Sequence, residues 1–211
     1  MAGGKVILTA RAMDMTDEQL LDRFEAGDAA AFGTLLQRYR GPLYNFVARS
    51  IRDVDMATDL VQDIFTRVIR RSDGFQRNAK FSTWIYAVAR NLCIDHQRRM
   101  KHRRHASLDA PSVEHDGPGS AWVERLANGQ PDVERQAAAG NLRARIADAV
   151  ENLPDEQREV FLLRELQQMP FADIAIVVGA SENTVKSRMR YALERLQEAL
   201  ADFEEYARVR A

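Results

Sequence analysis

Residues 171–196 read FADIAIVVGASENTVKSRMRYALERL. Phe171, Ile174, Ala175 and Val178 recur at the spacing of one helix face, and Gly179-Ala180 ends that short helix. Ser181 suits the N-cap of the helix that follows, and Glu182 places a negative charge in its first turn, where the helix dipole favours one. This second helix is expected to bury Val185, Met189, Ala192 or Leu193, and Leu196. Its opposite face carries Asn183, Ser187 and Arg190, flanked by Thr184, Lys186 and Tyr191. Ala175 is small where two helices would have to cross closely. A short helix, a turn containing glycine and a basic-polar helix make a helix-turn-helix, whose second helix lies in the major groove. Arg and Lys suit guanine edges, and Asn suits adenine. Two ordinary amphipathic core helices would account for the apolar spacing, but not for the agreement of turn chemistry, crossing residue and polar face.

The helical period extends outward from this stretch. Thr16-Asp17-Glu18-Gln19 fits a capping box, with Thr16 as N-cap and Gln19 at the third position, and Leu20, Leu21 and Phe24 follow before Gly27-Asp28 breaks the helix. Phe32, Leu35, Leu36 and Tyr39 form a helical stripe, Gly41-Pro42 punctuates it, and Leu43, Phe46, Val47 and Ile51 resume it. Leu60, Val61, Ile64, Phe65, Val68 and Ile69 mark a third segment, stopped by Ser72-Asp73-Gly74. Phe81–Arg99 makes another, apolar at Trp84, Ile85, Val88 and Leu92. The character changes over 106–136, which holds Pro111, Pro118, Pro131, Gly117, Gly119 and Gly129 and reads as a flexible linker with at most a helical turn around Trp122–Leu126. Leu142, Ile146, Ala149 and Val150 restore the period, Leu153-Pro154 starts a new helix with Val160, Phe161, Leu163 and Leu166, and a Leu196–Ala207 helix closes the chain. No segment alternates with period 2. The expectation is an all-α chain: a tail over 1–15, a helical domain over 16–105, the linker over 106–136, and a second helical domain over 137–211 containing the helix-turn-helix.

The chain of 211 residues, 45% hydrophobic and 29% charged, has the composition of a soluble globular protein. A single cysteine, Cys93, excludes an internal disulfide framework and a four-cysteine zinc site and suits a reducing compartment. No apolar run is long enough to span a bilayer, and no signal peptide is legible, so the expected location is the cytoplasm, without membrane insertion. The formal net charge is −1, yet the signs are segregated: residues 96–105 carry five fixed positive charges and no acid. Local sign governs phosphate contact, while the low total predicts weak binding to free DNA unless a partner helps.

Two further constellations carry chemistry. Residues 73–86 interleave Phe75, Phe81, Trp84 and Tyr86 with Gln76, Arg77, Asn78, Lys80 and Thr83, and Arg90, Asn91, Arg98 and Arg99 follow. Aromatic platforms beside a cationic groove suit single-stranded nucleic acid, and Asn78 could hydrogen-bond an extruded base. Trp84 taken alone is as well explained by packing. Cys93 with His96, and His102 with His105, are spaced as metal-ligand pairs, but the surrounding Arg and Lys would repel a dication, so no metal is expected. No phosphate-binding glycine loop and no nucleophile–base pair is present, so neither catalytic residues nor a cofactor are expected. The rivals are a dimeric helix-turn-helix regulator with an N-terminal sensor and a zinc-dependent enzyme or redox sensor built on Cys93.

From Thr16 to Leu200 the chain resembles the extracytoplasmic-function (ECF) sigma factors of bacterial RNA polymerase. Asp59-Leu60-Val61-Gln62-Asp63-Ile64-Phe65 is similar to the segment that docks on the β′ clamp helices, with Asp63 where members more often have Glu. Phe75 with Phe81–Tyr86 resembles the promoter-melting and −10-reading segment, Leu153–Glu165 the entry to the second domain, and Thr184–Arg190 the −35-reading helix. Gln167-Gln168-Met169-Pro170 stands where many members have a glycine, and Ile176-Val177 is more apolar than is usual. The resemblance implies a transcription initiation factor that binds polymerase core (β′ clamp helices and β flap) and promoter DNA, and that is held by an anti-sigma factor. It implies core contacts at Asp59, Leu60, Gln62, Asp63 and Phe65. It assigns −10 capture to Phe75, Gln76, Arg77, Asn78, Lys80, Phe81, Thr83, Trp84, Tyr86, Arg90, Asn91, Arg98 and Arg99. It assigns −35 reading to Ser181, Asn183, Thr184, Lys186, Ser187, Arg188, Arg190 and Tyr191.

Overall fold

The computed structural model describes residues 15–71, 75, 79–106 and 133–209, with side chains placed for 15–70, 75, 79–103 and 142–201. The elements are α1 (Asp17–Glu25), α2 (Ala29–Ile51), α3 (Val54–Arg71), α4 (Phe81–Ala106), α5 (Val133–Glu151), α6 (Asp155–Phe161) running on into a π-helical turn at Leu162–Leu166, α7 (Phe171–Val178) and α8 (Glu182–Val209). Among the described residues there is no strand, as the period predicts. The chain divides into two compact units, Met1–Val47 with Asp55–Ala110 and Ala48–Val54 with Pro111–Ala211.

In the first unit the capping box forms as its residue types predict. Gln19 N donates to Thr16 Oγ1 at 3.2 Å, and Thr16 N donates to Gln19 Oε1 at 3.0 Å. Gly27, at φ 97°, makes the turn into α2 that a residue with a Cβ would resist. Gly41-Pro42 does not punctuate: α2 runs unbroken through both. Proline removes one backbone hydrogen bond and costs a helix interior about 3 kcal/mol. Tyr39, Leu43, Phe46 and Val47 on either side of it are buried, and at roughly 1.5–3 kcal/mol for each fully buried side chain this outweighs the loss. The core is completed by Leu20, Leu21, Leu35, Leu60, Ile64, Val68, Phe81, Ile85, Tyr86 and Leu92.

In the second unit α5, α6 and α7 all pack on α8. Val150, Leu153, Val160, Leu163, Ile174, Val178, Val185, Ala192 and Leu196 fill the space between them. Ala192 rather than Leu193 is the inward residue, and Leu193 lies exposed. α5 begins at Val133, so the last residues of the expected linker are helical: the breakers end at Pro131, and an alanine-rich run follows. The Trp122–Leu126 turn lies outside the described residues. Arg158 is buried and donates from Nη1 to the carbonyls of Glu151 (3.2 Å) and Leu153 (3.0 Å) and from Nη2 to Asp155 Oδ1 (2.6 Å). It thereby satisfies carbonyls left open at the C-terminal end of α5. Burial pulls its pKa below the ordinary arginine value. Gly179 caps α7 in the left-handed region at φ 66°, and Ser181 Oγ accepts from Thr184 N at 3.1 Å to start α8.

Candidate nucleic-acid interface

On α8 the period separates an exposed polar face from the core. Val185, Met189, Ala192 and Leu196 point inward, and Ser181, Asn183, Thr184, Lys186, Ser187, Arg190 and Tyr191 are exposed. The hydroxyls of Ser181 and Thr184 are bound to each other at 2.8 Å, so these two residues belong first to the cap. Lys186 Nζ lies 2.7 Å from Glu182 Oε1, and Arg190 Nε lies 3.7 Å from Glu194 Oε1. The Arg190 guanidinium sits 4.8 Å from the centroid of the Tyr191 ring. Exposed i,i+4 pairs of this kind are worth a few tenths of a kcal/mol, so both cations can leave them for a phosphate or a base edge. Arg188 departs from the expectation. It is half-buried, and its Nη2 binds Glu156 Oε2 at 2.6 Å, tying α8 to α6. Its position three residues after Val185 and four before Ala192 turns it toward the packed side.

The second constellation lies in the other unit. On α3, Asp59, Gln62 and Asp63 are exposed on one face, which Thr66 and Arg70 continue at i+7 and i+11. Neither of those two is in the expected set, although the same spacing reaches both. Leu60 and Phe65 are buried; Phe65 meets the edge of the Phe32 ring, with centroids 6.1 Å apart. They hold α3 in place and do not belong to its surface.

In the aromatic segment the side chains divide in the same way. Phe75 and Trp84 are half-buried with ring centroids 5.3 Å apart, and the fully buried Phe81 lies beneath them at 6.3 and 5.9 Å. Phe81, Thr83 and Tyr86, expected as contacts, are buried in α4: Phe81 and Tyr86 lie on the stripe that continues through Ile85, Ala89 and Leu92, and Thr83 is buried off it. The hydroxyls of Thr83 and Tyr86 have no hydrogen-bond partner among the described residues, and burial pushes the Tyr86 phenol above its ordinary pKa. Gln76, Arg77 and Asn78 lie outside the described residues. Lys80 is exposed and Arg90 is half-buried. Trp84, Asn91 and Arg98 follow at seven-residue intervals on the outward side of α4, and Arg98, Arg99, Lys101, His102 and Arg103 are exposed near its end. Cys93 and His96 face the core while His102 is exposed. Among the described residues no helix is long and apolar enough to cross a membrane.

Residues 35–104 match the family "Sigma-70 region 2", and residues 143–196 match "Sigma-70, region 4". The ECF RNA polymerase sigma-E factor of Escherichia coli K12 is 30% identical over 181 residues, which span 85% of this chain and 92% of that protein. The ECF RNA polymerase sigma factor SigW of Bacillus subtilis is 27% identical over 190 residues, spanning 90% of this chain and all of the relative. The fold is shared with CnrH, solved with the cytosolic domain of CnrY (TM-score 0.61, 22% identity, 88% of this chain and 97% of that one). It is shared equally with RpoE of Bartonella quintana, solved with the anti-sigma factor NepR (TM-score 0.62, 24% identity, 81% and 96%). With an exposed polar-basic helix in the region 4 match, an aromatic-basic helix in the region 2 match and a relative of this identity over nearly its whole length, the chain belongs to the ECF sigma factors, the initiation factors that direct RNA polymerase to promoters.

Proposed function

We propose that the two units divide promoter recognition between them. The exposed face of α8, chiefly Asn183, Lys186, Ser187, Arg190 and Tyr191, reads the −35 element as duplex. Phe75 and Trp84 receive bases of the unpaired −10 strand, while Lys80, Asn91, Arg98 and Arg99 follow its phosphates. The Asp59, Gln62, Asp63 face docks on polymerase core. The protein works in the cytoplasm, without catalysis of its own, and a soluble anti-sigma segment competes for the core-binding surfaces; RpoE of Bartonella quintana is solved with the anti-sigma factor NepR. The observation that carries this reading is the partition within each unit: Leu60, Phe65 and Phe81 turn inward, while Asp59, Gln62, Asp63, Lys80, Asn91, Arg98, Arg99, Asn183, Lys186, Ser187 and Arg190 line the surface.

The test is run-off transcription with core polymerase. Asp63→Lys reverses an exposed charge without touching the core, so helix content should hold while core affinity and run-off both fall. An unchanged pull-down of core by this variant refutes the docking face.

A further inference from the structure

We propose that Glu18 is a positioning residue for strand capture: its carboxylate fixes the point at which the aromatic segment enters α4. The proposal rests on the reading of Phe75 and Trp84 as the strand-receiving platform.

The first backbone N–H groups of any helix lack partners within it. α4 opens at Phe81, and Lys80 before it has no side-chain acceptor to serve as a cap. The missing acceptor arrives from a remote part of the chain. Glu18 Oε1 accepts the Phe81 N–H at 2.9 Å.

Glu18 is itself held. It lies between Asp17 and Gln19 in the first turn of α1, inside the capping box that Thr16 and Gln19 close. Asp17 fastens that turn to α2: Oδ1 accepts from Arg38 Nη1 at 2.6 Å, and Oδ2 accepts from the Tyr39 hydroxyl. Burial and the Asp17 hydrogen bond push the Tyr39 phenol above its ordinary pKa, so it remains a donor. The Tyr39 ring in turn meets the Phe81 ring edge-on at 5.2 Å. The first turn of α1 therefore grips Phe81 twice, at its backbone through Glu18 and at its ring through Asp17 and Tyr39. Phe81 is the floor on which Phe75 and Trp84 lie. Releasing its N–H frees the first turn of α4 and lets the platform tilt.

The experiment compares Glu18→Gln with Glu18→Met in the full chain. Both keep the side-chain length and good helix propensity, and only Gln keeps an acceptor. Trp84→Ala is the control for the platform itself. Each is assembled with core polymerase on a promoter that the wild-type holoenzyme transcribes, and thymines unpaired at −10 are read by permanganate. Glu18→Met should lower that reactivity by about tenfold, the worth of one hydrogen bond that caps a helix N-terminus. Core affinity should stay within twofold, and run-off should recover on the same promoter mismatched across −10. Glu18→Gln should restore most of the reactivity. Wild-type reactivity in Glu18→Met with loss in Trp84→Ala overturns the proposal and leaves the platform standing. Wild-type reactivity in both overturns the platform reading itself. Loss in Gln equal to that in Met, or loss of core affinity, also overturns the proposal, since charge or general stability would then be the cause. Should Glu18→Met fail to fold, amide exchange at Phe81 in the wild-type protein decides: protection supports the bond, and exchange at the rate of an open amide overturns it.

Discussion

Arg188 and Arg190 stand two positions apart in one motif, and the helix sends them to different surroundings. Arg190 is exposed over Tyr191, whereas Arg188 is half-buried on Glu156. Arg190→Ala should cost about 1–3 kcal/mol of promoter affinity if the guanidinium grips a guanine edge, and the cost should depend on the base pairs of the −35 element. Arg188→Ala should instead lower stability by about 0.5–1 kcal/mol, since Glu156 at the far end of the pair is well exposed, and should weaken all promoters alike. Thermal melts beside a binding panel of −35 variants separate the two; a base-dependent loss for Arg188→Ala would return it to the reading face. The sequence itself carries the distinction. Val185 and Ala192 are apolar at three before and four after Arg188, which puts it on the flank of the buried stripe. The same spacing takes Leu60, with Ala57 and Ile64, Phe65, with Val61 and Val68, and Phe81, with Ile85, off the surface, whereas Thr83 and Tyr86, three and four residues from Lys80 and Arg90, are buried without that signal. Motif resemblance carries them into a site as a block, but the 3.6-residue period does not. What the sequence withholds is pairing over distance: nothing in it connects Glu18 to the amide of Phe81.

Among the elements, period and caps are readable wherever local chemistry decides. Thr16, Gln19, Gly179 and Ser181 each do in the structure what their residue type predicts. Gly41-Pro42 misleads because a proline is judged by its own helix, whereas the buried residues around it settle the matter through other helices. The approach to the helix-turn-helix behaves in the opposite way. Gln168 adopts φ 52°, the left-handed region, and its amide donates to the Glu165 carbonyl at 2.8 Å. A glycine would adopt that conformation without strain. This chain manages without one: a long unbranched side chain tolerates the strain and gains a hydrogen bond. Gln168→Gly should therefore change stability by no more than about 1 kcal/mol, relief of strain offsetting the greater freedom of the unfolded glycine. Gln168→Val, branched at Cβ, should cost about 1–3 kcal/mol. Denaturant titration checks both; equal midpoints for the two variants would show that the turn relaxes out of the left-handed region.

Across the whole molecule, charge and reach bear on how two readers on one chain can act together. The formal net charge is −1, and the two cations at the centre of the α8 face each have an acid four residues away on their own helix. Affinity for phosphates grows with the number neutralised, so such a chain is expected to bind free DNA weakly by itself. Polymerase is expected to set the spacing. The −35 and −10 elements lie about two helical turns apart, roughly 70 Å. Residues 107–132 separate α4 from α5, and a segment of that length extends to at most about 90 Å. The margin is small in one direction and wide in the other. Removing half of the segment leaves about 45 Å, too short for both units to hold their elements at once. Doubling it with glycine and serine costs only about 0.6 kcal/mol in closure entropy, roughly a threefold loss. The expected outcomes are accordingly asymmetric. The shortened chain should bind core as the wild type does, yet give the same run-off from a promoter with a scrambled −35 element as from the intact one. The lengthened chain should keep most of its dependence on −35. Both are measured by run-off from the paired promoters at fixed holoenzyme concentration. If the shortened chain still distinguishes the intact from the scrambled element, α8 and the Phe75–Trp84 platform do not act on one promoter at that separation, and the division of labour between the units is wrong.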